Sequence, residues 1–269
     1  MQKIAIHGVP RSGTTWLGEL INSSEEVAYR YQPLFSYAFK NYLGPDCTKK
    51  HVEDFFQKIA ESSDPFLLQQ DARSKNLLPT FKKKTISIIA YKEVRYHYLL
   101  PSFMRKLNDL KLIVLVRNPM AVISSWLNAP REFREDLGWV RTEEWRYALK
   151  KNINRPEEYN GYEKWKEATQ LFCSLADQYP TRVLMITYGS LVAQTQEMVS
   201  RIFQATGIPM TRQTLNFIDP TIRETDSEPY SINRIKHADD DWKSALEPQI
   251  IEAITGDLEG TSLERFLEM

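Results

Sequence analysis

KIAIHGVPRSGTTWLGELINS, residues 3–23, joins a short apolar run, a glycine-punctuated turn and an amphipathic stretch. KIAIHGV reads as a strand, and Trp16, Leu17, Leu20 and Ile21 recur at helical spacing. From Gly8 the turn follows G-x-x-x-x-G, in which backbone N–H groups and a helix N-terminus face an anion. In nucleotide hydrolases the next residue is a lysine that reaches the outer phosphates, followed by a hydroxyl for Mg²⁺. Here Thr14 occupies the lysine position, and the cation is Arg11, earlier in the turn. Such a loop holds one phosphate on its backbone and brings a guanidinium to the group attached beyond it. Ser12, Thr14 and Thr15 add hydroxyl donors, and the design requires no metal.

Outward from this loop, strand and helix patterns alternate. TISIIAY (85–91), KLIVLV (111–116) and RVLMITY (182–188) read as further strands, the first two as continuous apolar runs buried on both faces. LLPSFMRKLN, PMAVISSWL and QTQEMVSRIFQATG read as helices, with Pro119 in a first turn and Gly207 as a stop. The expected fold is α/β: three layers, a central, mainly parallel sheet flanked by helices, and a P-loop-like nucleotide site at the carboxyl ends of the strands. Polar residues cluster at those ends: His7 to Thr15, Lys92 to Arg95, Arg117 and Tyr188. A Trp-rich, charged stretch, 128–180, reads as a helical insertion covering the acceptor side. No linker marks a boundary, so 1–269 reads as one domain.

The bulk numbers narrow the function classes. The 269 residues carry 35 basic and 35 acidic side chains, and a net charge of zero argues against a nucleic-acid partner. Cys47 and Cys173 are the only cysteines, too few for a disulfide framework or a metal cluster. The first apolar run begins at Lys3 and no membrane span is visible, which predicts a cytoplasmic protein. Oligomeric state is not legible.

Pro10-Arg11-Ser12-Gly13-Thr14-Thr15-Trp16 resembles the first motif of sulfotransferases that use 3′-phosphoadenosine 5′-phosphosulfate (PAPS) and release 3′-phosphoadenosine 5′-phosphate (PAP). In that family the loop binds the 5′-phosphosulfate. The second family motif is an arginine after a buried strand with a serine eight residues on, both on the 3′-phosphate. Arg117 and Ser125 of LIVLVRNPMAVISSW match it. Tyr188 in ITYGSL resembles the adenine-contacting tyrosine, and Arg234 and Lys236 match loosely a late basic loop on the 3′-phosphate. The resemblance implies PAPS as co-substrate, no metal, and Arg11, Ser12, Gly13, Thr14, Thr15, Trp16, Arg117, Ser125 and Tyr188 as donor-binding residues.

Sulfuryl transfer proceeds in line between two oxygens, so positioning and charge stabilisation dominate. Arg11 suits the leaving phosphate. Lys92 either faces the sulfuryl group or snorkels at a strand end. The acceptor also loses a proton. In the carbohydrate and tyrosyl-protein branches, which YRYQPLF and KEVRY resemble more than the phenol and steroid branch, the base is a glutamate. The matched position here is Gln32, able to contact an acceptor but not to act as a base. The histidine of the phenol and steroid branch falls at Val94. Glu93 becomes the first-ranked base, against an ion pair with Lys92 or Arg95; His97 and His7 follow, against packed and loop-supporting roles. The expected acceptor is a hydroxyl of a small molecule, carbohydrate or glycolipid. The alternatives are a PAP- or PAPS-binding protein with weak or no catalysis, and a P-loop kinase.

Overall fold

Five parallel strands stand in the order β2-β3-β1-β4-β5 in the computed structural model, which describes residues 1–219 and 239–268. The strands are β1 (Gln2–His7), β2 (Val27–Tyr31), β3 (Ile88–Glu93), β4 (Leu110–Val116) and β5 (Val183–Thr187). β1 lies centrally, with Ile6 beside Lys92 of β3 on one side and Ile113 of β4 on the other. All carboxyl ends therefore share one edge, and the loop after β1 opens at its middle.

Between them run helices α1 (Thr14–Asn22), α2 (Lys49–Glu61), α3 (Gln70–Ser74), α4 (Leu100–Lys106) and α5 (Pro119–Leu127). Then come α6 (Arg141–Tyr147), α7 (Leu149–Asn152), α8 (Tyr162–Gln178), α9 (Tyr188–Ala193), α10 (Thr195–Thr206) and α11 (Arg212–Ile218). The described residues close with α12 (Trp242–Ala245) and α13 (Pro248–Leu258).

The two faces of the sheet carry separate cores, as the period-two alternation of strands demands. Ile4, Ile6, Ile113 and Leu115 face α1 and α10, packing with Leu17, Leu20, Ile202 and Phe203. Ala5, Tyr91, Leu112 and Val114 face the other way, with Phe55, Phe103, Trp165 and Phe172. Helix ends are fixed locally. The Asn118 side chain accepts from the Met120 and Ala121 N–H groups beside Pro119, and Gly207 closes α10 at φ 67°. α1 lies so close to β2 that a Cβ on Gly18 would meet the Tyr29 hydroxyl at 2.2 Å.

Two expectations change. The sheet has a fifth strand, β2, which runs into the YRYQPLF segment read only for Gln32. The stretch 128–180 also divides: α8 is a layer helix, burying Trp165, Ala168 and Phe172 in the core beside β5. Only its earlier part, at Glu132 and Lys151, reaches the cavity described below.

Candidate functional site

The turn after β1 is built by backbone geometry few side chains tolerate. Arg11 lies at φ 70° and Gly13 at φ 87°, so the chain doubles back and delivers the N-terminus of α1 to the sheet edge. A Cβ at Gly13 would meet the Tyr188 ring at 2.5 Å, and one at Gly8 the Leu115 carbonyl at 2.6 Å. The Ser12 hydroxyl is buried and makes no hydrogen bond among the described residues.

A cavity of about 560 Å³ opens at this edge. Pro10, Arg11, Gly13, Thr14, Thr15 and Trp16 form one wall, Arg117, Ser125 and Tyr188 another, and Tyr31, Gln32, Lys92, Val94 and Arg95 a third. Five cations (Arg11, Lys92, Arg95, Arg117, Lys151) and one carboxylate (Glu132) are among the described lining residues. A neutral protein has thus gathered a cationic pocket, suited to a ligand with several negative charges.

Arg11 is gripped on two sides: its Nε donates to Ser125 Oγ at 3.1 Å and its Nη1 to Glu132 Oε1 at 3.1 Å. Arg117 stacks over the Tyr188 ring at 4.6 Å, donates to the Arg11 carbonyl at 2.6 Å and donates twice to Asp239. The second motif therefore also braces the loop of the first. Ser12 is wholly buried beneath the loop rather than lining the cavity. Arg234 and Lys236 lie outside the described residues.

Adjacent strand residues point to opposite faces, and this separates Lys92 from Glu93. Lys92 lines the cavity, its Nζ 4.5 Å above the Tyr31 ring, and burial pushes its ammonium down. Glu93 points to the other face. Its carboxylate is wholly buried, accepts the Leu34 and Val94 N–H groups, and is pushed up by burial. It does not line the cavity, so its expected place beside an acceptor gives way to one pinning the turn at Leu34. No ion pair of Glu93 with Lys92 or Arg95 forms among the described residues; Arg95 pairs with Glu158 at 2.9 Å.

His7 and His97 share that buried face, Nδ1 to Nδ1 at 2.9 Å, with His7 Nε2 3.2 Å from the Tyr91 hydroxyl. Burial, with Lys92 nearby, pushes His7 down to about 3; burial first, and then the neighbouring His7 ring, hold His97 well below its ordinary value. Both are neutral core groups away from the cavity. Gln32 does line it. Its backbone is left-handed at φ 42°, and its Oε1 accepts from Arg95 Nη1 at 3.0 Å. Sequence reasoning did not single out Glu132 or Lys151, which come from a charged run with no motif around them.

A parallel sheet with a lysine-free anion loop after its central strand defines the P-loop-like class of α/β proteins. Within that class the chain belongs to the sulfotransferase family, which matches residues 3–212. Mouse sulfotransferase SULT7A1, solved with PAP, superposes with a TM-score of 0.54 at 14% identity, covering 99% of this chain and 88% of that one. Retinol dehydratase, solved with androsterone and the inactive cofactor PAP, gives 0.55 at 15% identity, covering 97% and 82%. The sulfotransferase domain from the curacin biosynthetic pathway gives 0.50 at 18% identity, covering 95% and 96%. At these identities the likeness is one of fold. No curated protein matches the sequence significantly. No described helix is long and apolar enough to cross a membrane.

Proposed function

We propose that the protein transfers the sulfuryl group of PAPS to a hydroxyl of a small-molecule or carbohydrate acceptor, leaving PAP. The observation that carries this reading is the convergence of Arg11, Lys92 and Arg117 on one cavity at the glycine turn after β1. PAPS supplies the activated sulfur; the chain supplies position and charge. Loop N–H groups with Thr14 and Thr15 suit the 5′-phosphate, and Arg117 with Ser125 the 3′-phosphate. Tyr188 and Trp16 offer flat apolar surface for adenine. Arg11 and Lys92 counter the charge that gathers on the leaving phosphate. Gln32 orients the acceptor through its amide.

Gln32 at the family's base position supports a second reading, a protein that holds PAP without turnover. Transfer of labelled sulfate from PAPS separates the two. The donor assignment is tested by PAP itself: wild type should be thermally stabilised by PAP, and Arg117→Ala should lose most of the shift. No stabilisation of wild type, or equal stabilisation of both, would overturn it.

A further inference from the structure

Sulfuryl transfer to a neutral hydroxyl needs a proton acceptor, and the expected positions do not provide one at the cavity. Gln32 is an amide, Val94 a hydrocarbon, and Glu93, His7 and His97 are buried behind the sheet. One carboxylate remains among the described lining residues, that of Glu132.

We propose that Glu132 is the catalytic base; this role rests on the PAPS-dependent reading above. Its Oε1 takes a hydrogen bond from Arg11 Nη1, while Oε2 takes none from any described residue. The side chain is 28% exposed and lines the cavity. Its backbone is fixed: the Glu132 and Phe133 N–H groups both donate to the Ala129 carbonyl at 2.8 Å, one turn beyond α5. The buried Phe133 ring anchors the turn edge-on against Trp126 (5.3 Å) and Trp139 (5.6 Å). α5 thus carries Ser125 on the donor side and aims Glu132 from its end, with the Arg11 guanidinium bridging the two. A base must be placed before it is tuned, and this is the placed carboxylate.

The step balances without any further reactant. The acceptor oxygen forms a bond to sulfur as the bond from sulfur to the phosphate oxygen breaks, and that electron pair stays on the phosphate. The acceptor proton passes to Glu132. Its arrival removes a negative charge beside Arg11 as charge builds on the leaving phosphate, so the guanidinium's charge is less offset there.

The test compares wild type, Glu132→Gln and Glu132→Ala in two assays. PAP binding, read by thermal shift and titration calorimetry, should be equal or tighter in both variants, because Arg11 loses a competing carboxylate. Release of labelled sulfate from PAPS is then followed with phenol, with 4-nitrophenol at a pH where it is largely ionised, and with water alone. Glu132→Gln should slow transfer to phenol and water by roughly 10²–10⁴-fold, the usual range for a lost general base. Transfer to pre-ionised 4-nitrophenol, which has no proton to give, should fall far less. A variant that binds PAP and loses activity equally with both phenols, or loses none, overturns the role while leaving the proposed activity standing. Wild type that binds PAP but releases no sulfate under any condition overturns both.

Discussion

Asp239 holds Arg117 in a two-pronged grip, from Nε at 2.7 Å and from a terminal nitrogen, on the face of the Tyr188 ring. A carboxylate has the planar shape that a guanidinium fork also offers to a phosphate. If Arg117 takes the 3′-phosphate, Asp239 competes with it. Asp239→Ala should therefore tighten PAP binding by about tenfold, or ~1.4 kcal/mol, measured by calorimetry. Weaker binding would show instead that Asp239 keeps Arg117 in position.

The loop's shape depends on the absence of a side chain at 13. Gly13→Ala meets a strained φ of 87° and the Tyr188 ring at once. It should cost about 2–4 kcal/mol, combining left-handed strain with overpacking, and weaken PAP binding. Tyr188→Ala in the same chain should recover the steric part in a double-mutant cycle and leave the strain.

Burial of His7 and His97 sets an acid limit. Both have lowered values when folded, so both stay neutral while the unfolded chain takes up protons below its ordinary value of about 6.5. Their burial has no protonation cost above that pH, and stability falls as pH drops below about 6.5, for His7 down to about 3. Each histidine adds ~1.4 kcal/mol per pH unit to the slope. Urea unfolding between pH 7 and 5 should show proton uptake by these two groups, offset in part by release from buried Glu93, and the net uptake should drop by about one in His97→Phe.

Glu19 on α1 is fully buried and takes two hydrogen bonds from Arg73, at 2.7 and 3.1 Å, and one from Asn22 at 3.0 Å. Arg73→Ala strands that carboxylate and should cost about 3–5 kcal/mol. Glu19→Met with Arg73→Met should cost much less, since no lone charge is left behind. Chemical denaturation distinguishes the two.

How much of this was legible in the chain depends on how local each signal is. β1, β3 and β4 announce themselves because a parallel strand buried on both faces is a continuous apolar run. β2 hides because Arg30 sits inside it. That guanidinium is folded inward, donating at 2.6 Å to the Ile59 and Ala60 carbonyls at the end of α2, so a charged residue occupies a strand interior. The glycine loop and Arg117 could be placed at the cavity from spacing, since each motif lies on one strand–helix junction. The acceptor side was not. Glu93 stands next to Lys92 in sequence and on the opposite face in space, while Glu132 meets Arg11 from 121 positions away. Adjacency along the chain misled where the sheet's alternation decides.

The contact of Gly18 with Tyr29 carries a mechanical consequence. α1 begins at the donor loop, and β2 ends one residue before Gln32 at the acceptor wall. With no room for even a methyl group between them, the two elements cannot slide past one another independently. On the proposed reading, a displacement that the donor imposes on α1 would reach the turn at Gln32 through this contact, so the two halves of the reaction would share a single lever whose fulcrum is a missing side chain.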